Sequence, residues 1–221
     1  MTTYLVTGCG RGIGLAVTKA LLARGDRVIG SVRGGRAPVD DHNFRRLTFD
    51  VRDDDAVRAA AAKLDEAVDV LINNAGIMGP ITDAPLETDP EGFADVLAVN
   101  VIGPLLVTRA FLPHLRRSGE AKVAAISSQL GGMSHQGSDR IAYRASKAAL
   151  NKMMQGIAID LKKEGIASVV LHPGWVRTDM GGQGAALDPT ESAEGIIRVL
   201  DSLTLETSGR FISWDGTERP W

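Results

Sequence analysis

"YLVTGCGRGIGLAV" (residues 4–17) places four glycines, Gly8, Gly10, Gly12 and Gly14, within seven positions, between an apolar run and a helix-like stretch. Glycine loses more conformational freedom on folding than any other residue, so this density needs a reason. A tight turn that follows a buried strand and opens a helix supplies one. There, glycines let backbone N–H groups approach a phosphate closely, and the helix N-terminus adds partial positive charge. Thr7 and Gly8 begin the loop, Gly10 and Arg11 lie within it, and Gly12, Ile13 and Gly14 open the helix. A turn that merely packs a helix on a sheet would use glycines too. The strand before and the helix after favour dinucleotide binding.

The rest of the chain carries the same alternation. Short apolar runs lie at Tyr4–Thr7, Arg27–Val32, Leu47–Asp50, Val68–Asn73, Lys122–Ser127, Ser168–Leu171 and Arg210–Ser213. They are rich in Val, Ile and Leu and do not alternate with polar residues, as expected of strands covered on both faces. Helical segments are predicted at 12–24, 53–66, 89–118, 141–164 and 190–203. Asp53 and Pro90 read as helix starts, and Gly25, Gly119 and Gly165 as helix ends. The order predicts an α/β fold: a doubly wound, seven-stranded parallel sheet with helices on both faces, joined by right-handed crossovers. The 221 residues suit a single domain spanning 1–221, and Gly34–Asp41 and Gly181–Asp188 read as loops.

Composition narrows the class. The net charge of −2 offers nothing to a polyanion, so no nucleic-acid partner is expected. One cysteine, Cys9, rules out an internal disulfide and suits a reducing cytoplasm. The N-terminus lacks the pattern of a signal peptide. No apolar run approaches about 18 residues, so no membrane span is expected. No metal site is expected either, because His114 and His172 have no companions at ligand spacing.

Two further stretches refine the ligand and the chemistry. NAD sites usually carry an acid after the second strand, on the ribose 2′-hydroxyl. Here the residues are Ser31-Val32-Arg33. Arg33, with Arg11 on the other side, would bond a 2′-phosphate, so NADP(H) is expected over NAD(H). "AYRASKAALN" (142–151) then sets Tyr143 and Lys147 four apart on one helix face. A neighbouring ammonium should lower the phenol's pKa. A phenol so tuned exchanges a proton with a carbonyl or an alcohol.

These motifs, in this order, resemble the short-chain dehydrogenase/reductase family over nearly the full chain. Thr7–Gly14 is similar to its cofactor loop, and Asn73-Asn74-Ala75-Gly76 to the motif ending its fourth strand. Asp50-Val51 is similar to its adenine-side contact. Ser127-Ser128 falls at the end of the fifth strand, and Tyr143-x-x-x-Lys147 is similar to its signature. Pro173-Gly174, Val176 and Thr178, in "HPGWVRTDM", resemble the segment that closes over the nicotinamide. "YRASKAALN" and the C-terminal "DGTERPW" look most like its C-factor and sniffer-type carbonyl reductase branch.

The resemblance implies a Rossmann fold and a catalytic set of Asn100, Ser128, Tyr143 and Lys147. Tyr143 would donate the proton, Ser128 would orient the carbonyl, and Lys147 would bond the nicotinamide ribose. Asn100 would hold a relay water. Ser127 is the alternative to Ser128, because the 15 positions from Ser128 to Tyr143 are slightly long for the family. The implied activity is NADPH-dependent reduction of a small or medium aldehyde or ketone. The alternatives are a dinucleotide-binding signalling protein of the C-factor type and an NAD-dependent alcohol dehydrogenase. Relatives pair through the helices at 89–118 and 141–164, which implies a homodimer or homotetramer. Cys9 and Met153-Met154 read as packing residues, and His135 as surface or substrate loop.

Overall fold

The computed structural model describes every residue from Met1 to Trp221 except Arg36 and Asp83. In chain order, β1 (Thr3–Thr7), α1 (Gly12–Ala23), β2 (Arg27–Val32), β3 (Phe44–Thr48), α2 (Asp54–Ala61) and β4 (Val70–Asn73) form the first half. The second half comprises α3 (Pro90–Leu97), α4 (Gly103–Leu115), β5 (Lys122–Ile126), α5 (Ile141–Lys163), β6 (Ala167–His172), α6 (Pro189–Ser202) and β7 (Arg210–Ser213).

The described residues form one parallel sheet of seven strands in the order β3-β2-β1-β4-β5-β6-β7. The chain winds outward from β1 to β3, returns to β4 and winds the other way. The reversal opens a crevice beyond the carboxyl ends of β1 and β4, where open α/β sheets bind ligands. Strand periodicity splits the core in two. Leu5, Ile29, Leu71 and Val123 meet Val57, Phe111, Leu150 and Met154 from α2, α4 and α5. Tyr4, Val6, Val28 and Ile72 meet Val17, Leu21, Ile196 and Leu200 from α1 and α6.

Several boundaries differ from the sequence expectation. β3 is Phe44–Thr48 rather than Leu47–Asp50, because an edge strand carries exposed Arg45 and Arg46 and so lacks a continuous apolar run. β4 pairs only from Val70; Val68 is buried but bonds the His114 carbonyl instead. α2 stops at Ala61, well short of 66. The segment expected as one helix over 89–118 is broken by a π turn at Ala98–Ile102 and ends at Leu115, so Gly119 caps nothing. Gly25 and Gly165 do follow helix ends with left-handed φ of +86° and +75°. Taken through the π turn, Pro90–Leu115 is long and apolar enough to cross a membrane, a run the sequence analysis did not expect. Half of its apolar window is buried, with Val107, Phe111 and Leu115 in the core.

Candidate active site

The glycine loop is built into the sheet from both sides. Thr7 Oγ1 accepts the backbone N–H groups of Asn74 and Ala75, each at 3.0 Å. Asn74 Nδ2 in turn donates to the carbonyls of Thr7 (2.9 Å) and Gly8 (3.2 Å). Gly8 has φ +69°, and a Cβ there would stand 2.9 Å from Ala75 Cα. At Gly14 a Cβ would lie 2.4 Å from both Asn74 Nδ2 and the Gly8 carbonyl oxygen. Both positions therefore need glycine for close approach, which no spacing rule reveals.

The N-terminus of α1, like those of α4 and α5, has no side-chain cap, unlike those of α2, α3 and α6. Asp53, Asp89 and Asp188 cap α2, α3 and α6 with side-chain hydrogen bonds. Arg11, at the N-cap of α1, makes none, and the first turn holds no acid. Its free N–H groups and positive dipole end suit a phosphate.

A cavity of about 500 Å³ runs from this loop to α5. Gly8, Gly10, Arg11, Gly12 and Ile13 line one end, with Arg33, Asp50 and Val51 beside them. Asn74, Ala75, Gly76, Tyr143, Lys147, Pro173 and Thr178 line the rest. The expected residues Thr7, Gly14, Gly174 and Val176 stand behind this wall. Val176 is buried and bridges Leu187, and a Cβ at Gly174 would lie 2.6 Å from Leu187 Cδ2. Ser31, Phe49, Ile77 and Val99 also face the cavity and were not singled out in the sequence. They look like ordinary core residues there. Arg11 and Arg33 share the rim, but Arg11 Nη1 is paired with Asp179 at 3.1 Å, an exposed contact of little strength. Bonds from Arg52 hold the Asp50 carboxyl below its usual range, with burial opposing and Arg33 assisting.

Tyr143 and Lys147 lie on the cavity-facing side of α5, both buried. Lys147 Nζ donates to the Ile126 carbonyl at 2.8 Å. The expected lowering of the Tyr143 pKa is corrected: burial raises it, and interaction with the Ser128 hydroxyl and the Arg140 charge only opposes that rise. Burial also pushes the Lys147 ammonium down to about 8, which weakens its leverage on the phenol. The Asn100 side chain is held by protein partners. Its Oδ1 accepts the Ile77 N–H at 2.9 Å, and its Nδ2 donates to the Ile77 carbonyl and to Ser146 Oγ. Both amide N–H groups thus have protein partners. A Cβ at Gly76 would lie 3.2 Å from Asn100 Oδ1 and 3.7 Å from Lys147 Nζ, so these three meet at one point.

The two serines separate. Ser127 lines the cavity, but its buried Oγ donates to Asn151 Oδ1 at 2.5 Å. Ser128 faces Tyr143 and caps the short turn Gln129–Gly131 through the Leu130 N–H. Beyond that turn, the substrate-side loop wraps the buried Arg144, whose Nε donates to the Asp139 carbonyl at 2.8 Å. His135 Nδ1 also touches Arg144 Nη1, at 3.3 Å. Arg144 carries no mark in composition or spacing, whereas Asn151 lies four residues beyond Lys147 on the same helix. Cys9 is fully buried, and burial pushes its thiol up to about 11, so it packs rather than reacts. Met154 is core.

Residues 2–186 match the model of the short chain dehydrogenase family. The chain belongs to that family. This short-chain dehydrogenase is 46% identical over 155 residues to the C-signal of Myxococcus xanthus, which covers 70% of this chain and 93% of that one. It is 31% identical to carbonyl reductase Sniffer of D. melanogaster, with a TM-score of 0.94 and full coverage of both chains. It is also 31% identical to the NADPH-bound carbonyl reductase from chicken fatty liver, with a TM-score of 0.91 over 100% and 99% of the chains. The short-chain dehydrogenase is accordingly an NAD(P)-dependent oxidoreductase, with the parallel seven-stranded sheet of that family.

Proposed function

We propose that the chain reduces small or medium aldehydes and ketones with NADPH. The observation that carries this reading is that Tyr143, faced by Ser128, and Lys147 line one end of a cavity whose other rim holds Arg11 and Arg33. The residues present fit the cofactor. The uncapped α1 terminus suits its pyrophosphate, and two arginines without an acid after β2 suit a 2′-phosphate.

When bound, NADPH supplies the hydride. The chain's own residues do the rest. Ser128 orients the carbonyl by donating to its oxygen. Tyr143 gives that oxygen its proton as the alcohol forms. Lys147 stabilises the phenolate left behind and bonds the nicotinamide ribose. Asn100 and Gly76 hold the wall against which Lys147 rests. The short segment Asp179–Pro189, with exposed Met180 within it and exposed Trp175 before it, leaves the substrate side open to varied carbonyls. We further take the chain to act in the cytoplasm as a homodimer or homotetramer. Exposed Ile102, Leu105 and Ile159, near or on α4 and α5, support pairing through those helices.

The likeness to the C-signal supports a second reading, a signalling protein that uses the dinucleotide as a ligand. Following NADPH and NADH consumption across aldehydes, ketones and diketones separates the two. Turnover with NADPH supports the reductase. Tight NADPH binding with no turnover across the panel overturns it in favour of signalling.

A further inference from the structure

Tyr143, Lys147 and Asn151 follow one another at i, i+4 and i+8 on α5, so they share one helix face. The end of β5 answers each of them. Ser128 faces Tyr143, the Ile126 carbonyl accepts from Lys147, and Ser127 Oγ donates to Asn151. The last contact is deepest, with Ser127 1% and Asn151 4% exposed. Asn151 Nδ2 has no partner among the described residues. A buried N–H without an acceptor is unfavourable, whereas an apolar pair of similar shape would avoid that penalty. The adjoining α5 residues Leu150 and Met154 are core and apolar. A costly polar pair in such surroundings, beside reactive side chains, is where a functional constraint is expected.

We propose that Asn151 is a positioning residue: through Ser127 it fixes the end of β5, so that the Ile126 carbonyl meets Lys147 and the Ser128 hydroxyl meets Tyr143. Ser127 lies between those two residues, so any rotation there displaces both. β6 holds its backbone, since the Ser127 N–H donates to the Leu171 carbonyl at 2.7 Å. Only Asn151 holds its side chain among the described residues. The inference rests on the reading of Tyr143 as the proton donor.

The test uses Asn151→Leu, Ser127→Ala and the double variant, each in a Tyr4→Phe background. The chain has two tyrosines, so that background leaves Tyr143 alone. Ultraviolet titration of tyrosinate then reads Tyr143 without any turnover. Aldehyde reduction reads kcat and the KM for NADPH, and urea unfolding reads stability. All three variants are expected to titrate Tyr143 at higher pH. They should lose roughly 10- to 100-fold in kcat with the KM for NADPH unchanged. The losses should not add in the double variant, because either change releases the same tether. The double variant replaces both polar partners, so it should keep near wild-type stability and carry the test if a single variant fails to fold. A stable double variant with unchanged Tyr143 titration and unchanged kcat overturns the proposal. If the parent reduces no aldehyde, the reductase reading fails on its own, and the titration still decides the tether.

Discussion

Lys147 Nζ stands 5.5 Å from the centroid of the Tyr143 ring, with both side chains buried on one face of α5. Burial disfavours charge on both: it raises the pKa of the phenol and pushes that of the ammonium down to about 8. Burial thus makes a phenolate costly here, so the phenolate left by proton donation depends on its neighbours Ser128 and Lys147.

Replacing Tyr143 by Phe keeps the ring and removes the proton. Reductase activity is expected to fall by about 10²- to 10⁴-fold, the usual worth of a positioned general acid. NADPH affinity, measured by fluorescence titration, should change little. Substantial residual turnover would remove Tyr143 from the mechanism.

Lys147 also makes a stability prediction. Its folded pKa of about 8 lies below the ordinary 10.5, so the unfolded chain binds more protons between those values. Burying the ammonium therefore costs stability below pH 8, and the cost fades as pH rises toward 10.5. Lys147→Met is expected to be inactive yet more stable than the parent near pH 7, with the difference shrinking in alkali. Comparing urea midpoints across that range cancels Cys9, whose raised value acts in the opposite sense in both proteins.

His172 governs the acid side. Burial, assisted by Arg219, depresses it to about 4 from 6.5, while its Nδ1 accepts the Gln129 N–H at 3.3 Å. The unfolded chain takes up the proton first, so stability should fall as pH drops through that window. His172→Asn, which retains an acceptor, should flatten the curve there. The depressed carboxylates act below their ordinary values, 3.8 for Asp50 and Asp215 and 4.5 for Glu164, so the slope is read above pH 4.5. An unchanged slope in urea titrations would show that His172 is already charged in the folded protein.

Arg33→Asp tests the cofactor assignment. Charge-assisted hydrogen bonds to a 2′-phosphate are worth about 1.5–3 kcal/mol. The ratio of NADPH to NADH affinity should therefore fall by at least about 10-fold. A ratio that does not move places the 2′-phosphate elsewhere.

Gly14→Ala tests the loop. The added Cβ would lie 2.4 Å from Asn74 Nδ2 and from a backbone carbonyl, neither of which can yield cheaply. A loss of about 1–3 kcal/mol in stability is expected, together with weakened NADPH binding. Calorimetry and a binding titration check the two separately.

Much of this was open to reading from local pattern. The glycines after an apolar run announce β1 and α1. Continuous Val, Ile and Leu runs mark strands covered on both faces, and an i, i+4 spacing sets Tyr143 beside Lys147 on a helix. Each depends on residues close in sequence. The edge strand β3 escaped because Arg45 and Arg46 face solvent, and the π turn at Ala98–Ile102 has no compositional mark.

What only the tertiary structure decided depends on contacts between distant residues. Asn100 reaches Ile77 and Ser146, and Asn74 reaches the carbonyls of Thr7 and Gly8. Adjacent serines have indistinguishable chemistry in the sequence; the approach of α5 to β5 sends Ser127 to Asn151 and leaves Ser128 for Tyr143. The direction of the Tyr143 shift was likewise beyond the sequence. Spacing supplies a neighbouring charge in Lys147, but the fold sets the burial, and desolvation outweighs the opposing Ser128 hydroxyl and Arg140 charge.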